Sequence, residues 1–166
     1  MSIPVITIIG KSKSGKTTLI EKLIPVLRQK GYRVGTVKHH AHAGFEIDQP
    51  GKDTWRHAKA GSQHIVIAAP DKIASYRLTE VEFSLDEVLH EFRDVDLILV
   101  EGYKRARKTA IEIVRAERSM ELIGSPEKLL AVMTDVDIKT TPPRLKLDDI
   151  QGLAALIETQ LLGEEK

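Results

Sequence analysis

Apolar residues recur along the chain at two spacings, and the switch between them sets the order of elements. Residues 5–9 are a continuous β-branched run with Thr7 inside it, the pattern of a parallel-sheet strand covered on both faces, and the run ends in Gly10. From residue 16 to 29 the positions Leu19, Ile20, Leu23, Ile24 and Leu27 repeat at helical spacing, and Gly31 supplies the stop. Pro25 inside that repeat predicts a bend or an irregular turn. Residues 32–37 then predict a second strand, which completes a right-handed βαβ unit.

The periodicity vanishes between Lys38 and Lys52, where histidine, glycine, aspartate and proline predict a long surface loop. A short helix is predicted over 53–60, capped by Asp53 and closed by Gly61. Apolar stretches at 64–69 and 73–78 flank Pro70-Asp71-Lys72 as a hairpin. Leu85, Val88, Leu89 and Phe92 fit an amphipathic helix. Residues 97–100, 110–114 and 129–133 predict strands, and the segment from Asp148 to Leu161 a closing helix. Strands alternating with helices predict an α/β fold of three layers, with a mostly parallel central sheet flanked by helices and a small β-hairpin insertion. With 166 residues, residues 1–166 are expected to form a single domain.

Composition narrows the function classes. Hydrophobic residues make up 42% and charged residues 30%, as in ordinary globular chains. The net charge of +1 offers nothing general to nucleic acid, and the one basic concentration is at 104–108. Without cysteine there is no disulfide, thiolate nucleophile or thiolate metal site. The apolar stretch near the N-terminus, 3–9, is too short for a membrane span and lacks a signal-peptide pattern, so a cytoplasmic location without membrane or nucleic-acid partners is expected.

The candidate chemistry begins where the first strand ends. Gly10-Lys11-Ser12-Lys13-Ser14-Gly15-Lys16-Thr17 matches G-x-x-x-x-G-K-[ST] between a predicted strand and a predicted helix, the context that defines a P-loop. Glycines let the loop turn its N–H groups inward on phosphate oxygens, and the helix N-terminus adds partial positive charge. Gly10, Ser14, Gly15, Lys16, Thr17 and Thr18 are therefore nucleotide-binding candidates, with Lys16 on the β- and γ-phosphates and the Thr17 hydroxyl on Mg²⁺. Lys11 stands where deviant P-loops of dimeric ATPases carry a signature lysine; it either reaches a phosphate across a dimer or, like Lys13, is a solvated loop charge.

Asp96 to Gly102 reads as an apolar strand ending in Glu101, a Walker B pattern that puts a carboxylate near the phosphates to hold Mg²⁺ or orient water. Asp48, in the loop after the second strand, is the further metal or water contact, as in a switch segment that responds to the γ-phosphate. Asp53 reads as a helix cap, with Arg56 as its partner or a phosphate contact. His39, His40 and His42 look like metal ligands, but neighbours in an extended segment point to opposite sides, and a histidine lining a substrate cleft is the favoured reading. Lys104-Arg105-Ala106-Arg107-Lys108 is either an anion- or partner-binding loop or a solvated run. Asp135, after the strand at 129–133, is placed to accept hydrogen bonds from guanine N1–H and its exocyclic amine, although the Asn-Lys-x-Asp signature is absent.

Taken together these segments resemble the molybdopterin-guanine dinucleotide biosynthesis protein B family. The resemblance runs through Thr17-Thr18-Leu19, Val37-Lys38-His39, the stretch from Asp48 to Asp53 with Arg56, Ala60-Gly61, Leu99-Val100-Glu101-Gly102-Tyr103-Lys104, and Ile111-Glu112-Ile113 with Arg115. Lys11 and Lys13 give the phosphate loop more charge than is typical of that family. The resemblance implies a dimeric GTP- and Mg²⁺-binding accessory factor with at most weak GTPase activity. It implies as partner the family's A protein, the nucleotidyltransferase that joins GMP to molybdopterin, and makes the hairpin at 64–78 a dimer element. A small-molecule kinase with an acceptor near Lys104 and Arg107, and a metallochaperone GTPase using the histidines, are the competing classes.

Overall fold

A computed structural model describes residues 3–42, 44–103, 106 and 108–163. The chain divides into two compact units, Met1–His39 with Leu89–Lys166, and His40–Val88.

The first unit holds β1 (Val5–Gly10), α1 (Lys16–Gln29), β2 (Val34–Lys38), then β5 (Leu97–Glu101), β6 (Thr109–Val114), β7 (Leu129–Thr134), β8 (Arg144–Leu145) and α4 (Ile150–Ile157). Its strands form one sheet in the order β2-β5-β1-β6-β7-β8, and every pairing is parallel. The unbroken apolar runs follow from this arrangement, because a parallel strand with cover on both faces has no solvent side to leave polar. Ile6, Ile8, Leu97, Leu99, Ile111, Ile113, Ala131 and Met133 meet Leu19, Leu23 and Leu27 of α1 and Leu153, Ala154 and Ile157 of α4. The alternate positions Ile9, Ala110, Val114 and Val132 form a smaller cluster on the opposite face, with Leu122 and Ile138 packed against it. On that face Phe92 covers Gly35, where a methyl group would stand 2.7 Å from its ring. The expected α/β architecture with a parallel centre is therefore present.

One charged group inside this cover is fully satisfied. Glu112, 1% exposed, accepts the Ile123 N–H at 2.7 Å and the Gly124 N–H at 2.9 Å. It ties the segment after β6 to the sheet.

Helix α1 runs through Pro25 without a break. The missing N–H would have bonded the Glu21 carbonyl, and both residues are exposed, so the freed carbonyl is not buried without a partner. Asp149 caps α4, accepting the Gly152 N–H at 2.9 Å, and the helix continues into a wider π-helical stretch, Glu158–Leu162. There Glu158 accepts hydrogen bonds from Lys30 at 2.7 Å and Tyr32 at 3.0 Å, which hold its carboxyl below the ordinary value. The two-residue β8 has no sequence signature, being too short to show a period.

The second unit holds α2 (Asp53–Lys59) and the antiparallel hairpin of β3 (His64–Ala69) and β4 (Lys72–Arg77), paired from His64↔Arg77 to Ala69↔Lys72. The expected cap is corrected here. Lys52 is the N-cap residue, with no side-chain cap bond, and Asp53 is already helical, 3.6 Å from Arg56 in an exposed ion pair. A first-turn carboxylate still suits the helix dipole, which explains the residue without a cap. The amphipathic segment that follows forms only α3 (Leu85–Leu89), which stops before Phe92. Among the described residues no helix is long and apolar enough to cross a membrane.

Candidate functional site

The sheet order places the end of β1 between β5 and β6, so Gly10 opens a loop flanked by two further strand ends. Gly10 is required by space as well as by its φ of 147°: a methyl group there would stand 2.7 Å from the Ile113 carbonyl oxygen and 2.8 Å from Ser14 Oγ. Ser14 is 1% exposed and its hydroxyl has no hydrogen-bond partner among the described residues. The Lys16 ammonium folds over this loop and donates to the carbonyls of Gly10 at 3.2 Å and Lys11 at 2.8 Å. It closes the ring of the loop above the start of α1.

Thr17 faces β5. Its hydroxyl donates to Glu101 Oε2 at 2.9 Å, while Lys38 donates to Glu101 Oε1. Parallel register explains the second contact, because Lys38 and Glu101 are aligned partners at the ends of β2 and β5. Burial pushes the Glu101 carboxyl up. Hydrogen bonds from Lys38 and Thr17 and the charges of Lys38 and Lys16 outweigh that, so it lies below its ordinary value and is ionised at neutral pH. A carboxylate, a threonine hydroxyl and a lysine over a glycine loop are a donor set suited to a polyphosphate with a divalent cation.

Gly102 follows with φ 106°, and a methyl group there would meet His39 Cβ at 2.6 Å. The His39 ring packs against Tyr103 with centroids 4.3 Å apart and planes tilted by 36°, and its backbone N–H donates to the Glu101 carbonyl at 2.8 Å. Thr18 is exposed on the first turn of α1, and Lys11 and Lys13 are exposed on the loop. Asp135 lies just past β7, and its Oδ1 accepts the Ala116 N–H at 3.0 Å, linking the ends of β6 and β7.

Asp48 belongs to the second unit. Thr54 and the Gln49 N–H, at 2.8 Å, hydrogen-bond its carboxylate, and Tyr76 donates to Oδ2 at 3.0 Å. The Thr54 bond leads, and together these overcome the upward push of burial and hold Asp48 below its ordinary value. Burial and then the Asp48 contact push the Tyr76 hydroxyl up. His40 and His42 sit ring to ring at 5.9 Å. Among the described residues no group of three or more histidine, aspartate or glutamate side chains is arranged to hold a metal ion. Of the basic run, Lys104, Arg105 and Arg107 lie outside the described residues.

The family model for molybdopterin guanine dinucleotide synthesis protein B (MobB) matches residues 5–135. The chain belongs to the MobB family. A molybdopterin-guanine dinucleotide biosynthesis adapter protein of Haemophilus influenzae is 37% identical over 96% of this chain and 90% of its own length. A protein of the same name from Escherichia coli is 35% identical over 93% and 91%. A crystal structure of molybdopterin-guanine biosynthesis protein B aligns with a TM-score of 0.72 at 31% identity, covering 95% of this chain and 99% of that one. Bacillus subtilis MobB, at 24% identity and a TM-score of 0.75, shares the fold.

The MobB match spans the elements just described, from β1 to Asp135. Sequence reasoning named Lys16, Thr17 and Glu101 as neighbours across the fold, and the structure brings them together. Lys38 was quoted for its resemblance but given no role. Its signal was available, since it closes β2 as Glu101 closes β5. Adjacency of those two strands, which no local pattern states, was the missing step.

Proposed function

We propose that this chain is a GTP-binding adapter of molybdenum cofactor biosynthesis. It assists the nucleotidyltransferase that converts molybdopterin to molybdopterin guanine dinucleotide, and it acts in the cytoplasm as a homodimer. The observation that carries this reading is the Thr17–Glu101 contact beside the Lys16-capped loop, in a chain of the MobB family. In use, Lys16 would exchange its two loop carbonyls for β- and γ-phosphate oxygens, with backbone N–H groups of the loop taking the rest. The Thr17 hydroxyl ligates Mg²⁺, which Glu101 holds directly or through water. Asp48, whose carboxyl is held below its ordinary value by partners in its own unit, is a candidate carboxylate for metal or water in that unit. Asp135 keeps Oδ2 for the guanine edge while Oδ1 serves Ala116, and an adenine has no matching pair of donors to offer it.

Hydrolysis is slow on this reading. Glu101 is already engaged by Lys38 and Thr17, and one carboxylate so held is a poor positioner of attacking water. Binding rather than turnover is the working state. The hairpin supplies the dimer surface: Val66, Ile67 and Ile73 are 55%, 56% and 74% exposed, an unusual outlay of apolar area for a solitary monomer.

The direct test is reconstitution of dinucleotide synthesis from molybdopterin, GTP, Mg²⁺ and the nucleotidyltransferase, with and without this chain. Stimulation that is lost in Lys16→Ala supports the adapter role. No stimulation at any ratio rejects it.

A further inference from the structure

Arg115 is the first residue beyond β6, and β6 lies directly beside β1, the strand that runs into the phosphate loop. A methyl group on Gly15 would stand 3.6 Å from Arg115 Nη2 and 3.8 Å from Nε, so the guanidinium rests against the turn that opens α1. Its Nε is buried and has no hydrogen-bond partner among the described residues. That differs from Arg33, whose Nε and Nη2 donate to the two oxygens of Asp96, at 3.2 Å each. An arginine set against a glycine turn with its buried Nε unpaired among the described residues is costly to keep for structure alone.

The sheet order says what passes in front of it. Thr17 and Glu101 mark the cation and terminal-phosphate end of the loop, and Glu101 stands on β5. Strands β5 and β6 flank β1 on opposite sides. A nucleotide laid along the loop with its γ-phosphate towards β5 therefore carries its base towards the ends of β6 and β7. Those ends hold Arg115 and Asp135, and the Ala116 N–H bound to Asp135 Oδ1 joins them. The guanidinium is planar, permanently charged and weakly hydrated on its faces, which suits it to lie flat on an aromatic ring.

We propose that Arg115 is the platform on which the purine ring stacks, while Asp135 reads the edge of that ring. The inference rests on the nucleotide reading above and adds to it a residue that recognises the base rather than the phosphates. It predicts a division of labour along the loop: Lys16 and Thr17 grip what every nucleotide shares, and Arg115 with Asp135 grip what the phosphates lack.

Calorimetry with two ligands, GTP and inorganic tripolyphosphate, each with Mg²⁺, separates the two ends. Wild type, Arg115→Ala and Arg115→Lys are compared, the lysine variant keeping the charge but not the plane. Stacking predicts that GTP affinity falls about tenfold in both variants, the order expected for one aromatic stack, while tripolyphosphate binding stays at the wild-type level. Equal weakening of both ligands would make Arg115 a phosphate contact and overturn the proposal. So would wild-type GTP affinity in either variant. Wild-type protein that binds neither ligand would remove the nucleotide reading itself, a failure distinct from one confined to Arg115.

Discussion

Strands β7 and β3 are built from similar residues and live in opposite surroundings. Leu129–Thr134 is buried at every position, between β6 and β8 and beneath α4. His64–Ala69 has one buried residue, Ile65, and among the described residues its only sheet partner is β4. The difference is one of neighbours rather than chemistry. A parallel strand inside a covered sheet turns its apolar side chains to its own core, and that core fixes the strand ends that carry Glu101 and Asp135 and the start of α1 that carries Lys16 and Thr17. The two-stranded hairpin is covered only in part, with Ile65 buried and Val66, Ile67 and Ile73 exposed, and on the proposed dimer reading these three meet a second copy of the chain.

The contrast can be broken by mutation. Leu23, fully buried between α1 and the sheet, should cost about 2–5 kcal/mol of unfolding free energy when changed to alanine, read from urea denaturation. Ile73→Ala at high dilution should cost under about 1 kcal/mol, since its side chain is largely in water. Similar losses at both positions would erase the distinction between the two regions. Self-association is the converse reading. Ile73→Asp should weaken the proposed dimer at least about tenfold in sedimentation equilibrium while leaving GTP affinity unchanged, and an unaltered association would take the interface away from the hairpin.

Within the first unit the expected effects are smaller and more specific. Asp135→Asn should lower the preference for GTP over ATP by about tenfold in calorimetry, because an amide has one accepting oxygen for both the Ala116 N–H and the guanine edge. Unchanged preference would take base reading away from Asp135. The least effect is on pH dependence. Because the folded Glu101 carboxyl lies below its ordinary value, its stabilising contribution is fully present above the usual carboxyl value, about 4, and is lost as pH falls through the lowered one. Unfolding free energy should therefore fall with pH in that acid window, and Glu101→Gln should flatten the slope. An identical slope in the variant would contradict the contacts drawn for Glu101.

Much of this was legible from spacing alone. The P-loop is readable because its function demands adjacent residues, and the strands of the first unit because burial on both faces leaves unbroken apolar runs. Glu101 was legible for the same reason, as the polar end of such a run. Lys38 and Arg115 were not assigned roles, since each acquires a neighbour only through strand order: Lys38 through β2 beside β5, Arg115 through β6 beside β1. The cap at Asp53 was misread by one residue because a first-turn carboxylate and a capping carboxylate look alike in sequence. The end of α3 before Phe92 was missed because an apolar residue at helical spacing serves equally well beyond a helix, here as the cover over Gly35.

Amide chemical shifts during titration of the labelled chain with GTP and Mg²⁺ test the central claim most directly. Saturable shifts at Gly10 through Thr18 and at Glu101, absent in Lys16→Ala, are the predicted result. A titration that leaves the Gly10–Thr18 amides in place, or that moves them equally in the alanine variant, would contradict it.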